Sequence, residues 1–391
     1  MAAHRLYLDY AASSPASEAS LAAERAYEEA PYAGANPNSL HTMGRLAARA
    51  LDGARADLAR GLGGGFRPAD VTFTSGGTES NNLALWGLAE GARARDRKRT
   101  RVILSSIEHD SVLDVAPSLR DRGFDVTLAP AQRDGRVTPE AVHELLGRDV
   151  ALVSVMSANN ETGIVQDVNR IGKLAHDAGA LMHTDAVQAF GRIPLTLSNV
   201  DAVSIAAHTS GGPVGGGALA VRSRGAVRPQ SFGGGQEQGR RAGTQDVRGA
   251  LAFAAAARDC LAHLEERRMT TARNAKHLVN VLCAPDTGIH QTVEMGFDAG
   301  RLPGTVSLLV DGVDSETLVL TLDEAGFEVS AGSACSSGNL DPSHVLLAMG
   351  IPRNEAFNSL RISFDERVDD QDLMRFAETL MQVVSTKRYG R

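Results

Sequence analysis

"VALVSVMSANNETGIVQDVNRIGKLAHDAGALMHTD", residues Val150 to Asp185, decides the fold class. It opens on "VALVSVM", an almost unbroken apolar run of strand length. A polar turn follows, and then "VNRIGKLAHDAG", a helical pattern closed by glycine. "ALMHTD" is a second strand. A strand, a helix and a strand in so short a span make a βαβ unit, and such units build a mostly parallel sheet.

The same alternation extends in both directions. "DVTFTS" is strand-like and "ESNNLALWGLAEGARARDR" helical; "RVILSS" is a strand and "DSVLDVAPSLRDRG" a helix; "DAVSIAA" and "GALAV" are further strands. A ligand crevice is expected at the carboxyl edge of such a sheet. "ALAFAAAARDCLAHLEERRMTTARNAKHLVNVL" reads as one long helix or two abutting ones that leave the large domain. Beyond it, "GTVSLLV", "SETLVLTLDEAG", "EVSAGSACSSG" and the helix "DDQDLMRFAETLMQVVSTKR" form a smaller α+β unit. The expected division is a large α/β domain over residues 15–260 and a small α+β domain from 1–14 and 261–391.

Bulk properties narrow the function. The chain has 391 residues, 43% apolar but only 4% aromatic, so Ala, Val and Leu must fill its core. A net charge of -7 argues against nucleic acid as a general partner. No apolar run reaches the length of a membrane span, and the first residues lack the pattern of a signal peptide. Three scattered cysteines, Cys260, Cys283 and Cys335, fit neither a disulfide framework nor a zinc site. A soluble, cytoplasmic protein is expected.

Polar groups gather where the strands end. "TSGGTESNN" places Gly77 and Thr78 at a turn opening a helix, where backbone N–H groups and the helix dipole suit an anion; an ordinary capped turn explains it equally well. His109 follows the next strand, either as a polar loop residue or against a planar ligand. Asn159, Asn160 and Glu161 follow a third. Asp185 and Gln188 follow a fourth, where an aspartate is commonly a helix cap. Four strands ending in polar groups able to meet one ligand favour a site over coincidence. "SFGGGQEQGRRAGTQDV" carries Thr244 on an expected mobile loop. Arg361 sits inside the strand pattern "NSLRISF", so it needs an anionic partner, either a substrate carboxylate or an internal Asp or Glu. Cys335, among Ser and Gly, reads as a reactive thiol, whereas Cys260 and Cys283 lie in apolar surroundings.

Together these segments resemble a known family. "YLDYAASSPAS", "GANPNSLHTMGR", "TSGGTESNN", "EHDSVL", "ANNETGIVQDV", "HTDAVQAFG", "FGGGQEQGRRAGTQDV", "SAGSACSSG", "PSHVLLAMG" and "SLRISF" are similar, in order and spacing, to cysteine desulfurases of the class V aminotransferase family. The resemblance implies the pyridoxal 5'-phosphate (PLP) transferase fold, type I, with a mostly parallel seven-stranded sheet and a smaller C-terminal domain. It implies that Gly77 and Thr78 hold the cofactor phosphate, helped by Thr244 of a second protomer in a homodimer. His109 would stack on the pyridine ring, Asp185 would pair with its nitrogen, and Gln188 would meet the ring hydroxyl. Asn160 and Arg361 would hold the carboxylate of L-cysteine. Cys335 would take the sulfur as a persulfide, leaving alanine, and pass it to an iron-sulfur scaffold or other sulfur-acceptor protein. In such a complex Cys335 could also ligate an iron-sulfur cluster.

One stretch departs from the family. Where it has a serine, one more residue and then His-Lys, this chain reads Ala206-Ala207-His208-Thr209. Thr209 therefore stands at the Schiff-base lysine position, and Ala206 at that of a phosphate-contacting serine. Asp365 stands where glycine is usual. The other lysines, Lys98, Lys173, Lys276 and Lys387, lie in helical, charged or terminal segments away from the motifs. The expectation is non-covalent PLP, weak or altered chemistry, and His109 or His208 as slow proton carriers. An alternative is a non-catalytic partner presenting sulfur or metal through Cys335. A dinucleotide-binding oxidoreductase is discounted, because "GGPVGGG" leads into a strand and not a helix.

Overall fold

A seven-stranded sheet forms the centre of the molecule. The computed structural model describes residues 5–297, 300–332 and 341–389. From edge to edge the strands are Val71–Thr74, Gly217–Val221, Ala202–Ala206, Leu181–Asp185, Val150–Ser154, Arg101–Ser105 and Asp125–Ala129. Gly217–Val221 runs antiparallel to both neighbours, and every other pairing is parallel. The central strands are buried at every position, because helices cover both faces; that is why they read as continuous apolar runs.

The deciding stretch folds as its sequence implies. Val150–Ser154 leads through a polar turn into the helix Val168–Asp177, and Leu181–Asp185 follows beside the first strand. Asp167 caps the helix by accepting from the N–H of Arg170, and Gly179 ends it at φ +76°, a conformation that costs glycine little.

The C-terminal third builds a second, antiparallel sheet in the order Ser330–Ala331, Ser359–Ser363, Thr305–Val310, Ile289–Gln291. Its own core joins Leu308, Leu360 and Phe376 to Leu6, Leu8 and Tyr10 from the start of the chain. The connection is two abutting helices, Val247–Ala262 and Leu264–Leu282, that meet at His263. Val345, Leu346 and Met349 instead pack into the core of the large sheet, so the C-terminal segment grips both units. Among the described residues no helix is long and apolar enough to cross a membrane.

Candidate active site

The carboxyl ends of the parallel strands converge on a cavity of about 140 Å3. Gly77, Thr78, His109, Asn160, Asp185, Gln188, His208 and Arg361 all line it. Residues from five strand ends and from the second sheet thus share one space.

The turn after Val71–Thr74 enters the helix Gly77–Arg95 through Gly76 at φ +155°. A β-carbon on Gly77 would lie 2.7 Å from the Val187 side chain and 3.7 Å from the Ala206 β-carbon, so only glycine fits. The capping reading holds only in part: the N-cap residue, Gly76, makes no side-chain cap bond, and Glu79 alone folds back to accept from the Ser75 N–H at 2.6 Å.

Asp185 is held on both oxygens, by the Val187 N–H at 2.8 Å and by the Asn81 amide at 2.6 Å. Burial pushes its carboxyl pKa up, against those hydrogen bonds and the nearby His109. The Asn81 amide also donates to Ser111 Oγ at 2.9 Å. That hydroxyl lies 2.9 Å from His109 Nδ1, which accepts from the Ser111 N–H. The chain Asp185–Asn81–Ser111–His109 fixes the orientation of the imidazole. Neither Asn81 nor Ser111 was singled out in the sequence. Asn81 could have been, since it lies three residues after Thr78 on the same helix and so shares its face.

Arg361 has the internal partner foreseen as one alternative. Its Nη2 donates to Asp9 at 2.7 Å and its Nη1 to the Asn160 carbonyl at 3.2 Å. Among the described residues its Nε is buried with no partner, as are Asn160 Oδ1 and Asn81 Oδ1. Native interiors seldom leave such atoms unpaired, so these mark where a polar ligand fits. Gln188 is engaged within the protein, donating to the Ala11 carbonyl and accepting from Arg192. Burial, reinforced by the Arg192 guanidinium, lowers the pKa of His208.

No lysine reaches the cavity. All four are described and exposed. Thr209 is buried but does not line it: its hydroxyl donates to the Val187 carbonyl at 2.7 Å, and the residue borders a neighbouring cleft of about 520 Å3. Thr244 lies apart from Thr78, beside Arg241 in a third cavity. Its loop, expected to be mobile, is pinned by Glu237. That side chain is buried, takes both terminal nitrogens of Arg55 and accepts from the Phe73 N–H at 2.8 Å.

Cys335 lies outside the described residues. Cys260 departs from its expected apolar setting, with its thiol 3.3 Å from the Ser210 carbonyl and 3.8 Å from an Arg267 nitrogen. Burial nonetheless pushes that thiol up to about 11, and raises Cys283 as well. Among the described residues no group of three or more His, Cys, Asp or Glu side chains could hold a metal ion.

A family model described as "Aminotransferase class-V" matches residues 6–376. The chain is 38% identical over 387 residues to "IscS-like cysteine desulfurase" of Mycobacterium tuberculosis, covering 98% of this chain and 97% of the relative. It is similar to a solved structure described as "NIFS-LIKE PROTEIN", with TM-score 0.87, 32% identity and coverage of 97% and 99%. A second, described as "SspA in complex with cysteine", gives TM-score 0.78 and 30% identity over 92% of this chain and 98% of that one.

Proposed function

The chain belongs to the class V aminotransferase family, and we propose that it is a cysteine desulfurase-like protein that binds PLP without a covalent bond. When bound, PLP supplies an electron sink that weakens the bonds at the α-carbon of an amino acid. The residues suit that group without needing a lysine. Gly77 and Thr78 offer a helix N-terminus to a phosphate, and Asp185 offers a carboxylate to a protonated ring nitrogen. Gln188 stands for the ring hydroxyl, and His109 for the ring face. Asn160 and Arg361 hold the carboxylate of L-cysteine.

The observation that carries this reading is the set of unpartnered buried atoms, Arg361 Nε, Asn160 Oδ1 and Asn81 Oδ1, on residues lining one cavity with Asp185. His109 and His208 are its proton carriers. Loss of a well-placed base costs about 10²–10⁴ in rate, so turnover is slow. In this reading sulfur passes to Cys335 as a persulfide, alanine leaves, and a sulfur-acceptor protein such as an iron-sulfur scaffold receives it. The protein acts as a cytoplasmic homodimer in which Thr244 completes the partner's phosphate site. The large domain spans residues 15–260, the small one 1–14 and 261–391. Thr209, at the lysine position, is what makes the cofactor removable.

The cavity without a lysine also favours a second reading, a scaffold that presents sulfur or metal through Cys335 with no turnover. Titration with PLP, followed by absorbance, tests the first. Saturable binding is expected, lost on dialysis, not fixed by borohydride, and abolished in Asp185→Ala. Absence of saturable binding would end the cofactor reading. Binding without alanine release from L-cysteine would leave the scaffold reading in its place.

A further inference from the structure

We propose that Ser111 and Asn81 are positioning residues that hold the lone pair of His109 Nδ1, leaving His208 to take the proton from the substrate α-carbon. The proposal rests on the reading that the cavity binds PLP, and it ranks the two proton carriers of that reading.

The ranking follows from which atoms can only donate. His109 Nδ1 accepts from the Ser111 backbone N–H at 3.1 Å, capping the short helix Asp110–Leu113. A backbone N–H can only donate, so Nδ1 carries no proton and the neutral ring keeps its proton on Nε2. Asn81 adds a second donor through the Ser111 hydroxyl. In the ionised form that would pair with a protonated ring nitrogen, Asp185 only accepts, so the Asn81 atom 2.6 Å from its Oδ2 is the amide nitrogen. The other N–H of that amide reaches Ser111 Oγ at 2.9 Å. The hydroxyl, having accepted there, turns its own hydrogen to His109 Nδ1 at 2.9 Å. The relay uses both N–H groups of Asn81 and leaves its Oδ1 without a partner among the described residues.

A ring whose lone pair is held twice is a poor base. It accepts a proton only after turning away from Ser111. Among the described residues, the other titratable groups lining the cavity are Asp185, Arg361 and His208. Asp185 is committed to the Val187 N–H and the Asn81 amide, and Arg361 has no lone pair to offer. His208 is left. Burial and the Arg192 guanidinium keep it toward the neutral form, which has a lone pair on one nitrogen, while the Ala12 carbonyl attracts an N–H of the ring. Its ring takes the α-proton and becomes imidazolium, and the C–H electron pair passes into the electron sink that PLP supplies.

Two measurements test this. The first is nuclear magnetic resonance of the protein alone, carrying nitrogen-labelled histidine. Neutral His109 should show a protonated Nε2 and a bare Nδ1. Ser111→Ala should move the Nδ1 signal toward that of an unbonded ring nitrogen, and Asn81→Ala should move it less far the same way, because the hydroxyl then turns freely. A proton on Nδ1, or an Nδ1 signal indifferent to both substitutions, overturns the proposal. The second is loss of deuterium from the α-carbon of labelled L-alanine with PLP present, above the rate of PLP alone. His208→Gln and His208→Asn should each slow it by about 10²-fold or more, the scale of a lost base. The signals of His183, held between Ser154 and Ser204 in the sheet, report an intact fold. An exchange rate unchanged in both variants overturns the proposal and leaves the cofactor reading standing. A parent protein that exchanges no deuterium removes the cofactor reading, and the role of His208 with it.

Discussion

Two cavities lie on either side of the turn at residue 209, and the larger is the less promising. The cleft of about 520 Å3 is rich in charge, but most of its charges are paired. Arg267 bridges Asp259 and Glu366, each at 2.9 Å, Arg367 holds Asp365 at 2.6 Å, and Arg192 donates to Gln188 and the Tyr10 carbonyl. Among the described residues, none of its buried side-chain atoms lacks a partner. The cavity of about 140 Å3 has fewer charges and three orphaned atoms. Volume measures where a ligand could go; unsatisfied polar atoms show where the chain has left bonds for one to make. The larger cleft reads as a seam: its ion pairs tie the helix Leu264–Leu282 to the loop after Ser359–Ser363.

The sharpest way to break this contrast is to move an amine across the wall between the cavities. In Thr209→Lys the side chain is long enough to leave the Val187 carbonyl and enter the smaller cavity. Borohydride should then fix PLP to the protein, and alanine formation from L-cysteine should rise by at least about 10², the lower bound for a restored base. A variant that fixes PLP yet makes no more alanine would show that the pocket has diverged beyond residue 209.

A smaller effect comes from one arginine in each cavity. Arg361→Met removes the orphaned donor, and the affinity for L-cysteine should fall about 10–100-fold, the range for hydrogen bonds to a charged group. Arg267→Met should leave that affinity alone. Its pairs are about a quarter exposed, so stability should fall by about 1–3 kcal/mol, below the range for a fully buried pair. Equal losses of affinity in the two variants, measured by calorimetry, would erase the distinction drawn between seam and site.

What the sequence revealed was local. Asp185 and His109 were legible because strand ends and caps are marked within a few residues. The βαβ reading of Val150–Asp185 needed only a change of period. The pairing of Arg361 with Asp9 spans 352 positions, and no nearby residue signals it. The Asn81–Asp185 bond spans 104. The edge strand Asp125–Ala129 was passed over because it is only partly buried and lacks the apolar run of its neighbours. The helix Thr42–Leu62 hides its core face behind alanines such as Ala47 and Ala54, which contrast weakly with their surroundings. The sequence named Thr209 as the anomaly, but that its hydroxyl would be taken by Val187 depends on how two turns meet.

The smallest effect separates two carboxyls whose pKa values burial raises, one beside each cavity. Glu366, in the seam, is ion-paired with Arg267. Glu108, next to His109 in the chain, is fully buried and pushed up to about 8 from 4.5, opposed by hydrogen bonds from Ser105 and Met156; among the described residues its Oε2 has no partner. The folded state therefore keeps a proton on Glu108 that the unfolded chain releases near 4.5. Its contribution is complete below that pH and declines as pH rises toward 8. His183, buried and pushed down to about 3 from 6.5, acts oppositely: its contribution is present above 6.5 and fades as pH falls toward 3. Between 6.5 and 8, of these two, only Glu108 still changes its contribution. Asp185 and Glu161, also raised by burial, act in the same direction as Glu108. In Glu108→Gln, where an amide imitates the protonated acid, urea midpoints below pH 4.5 should match the parent. The parent's decline toward pH 8 should become shallower, by a few kcal/mol at most. Glu366→Gln should show a smaller change of slope, because Arg267 stabilises the charged form. Parallel pH profiles for Glu108→Gln and the parent would mean that Glu108 is ionised in the folded state, with water or a bound cation beside the orphaned oxygen.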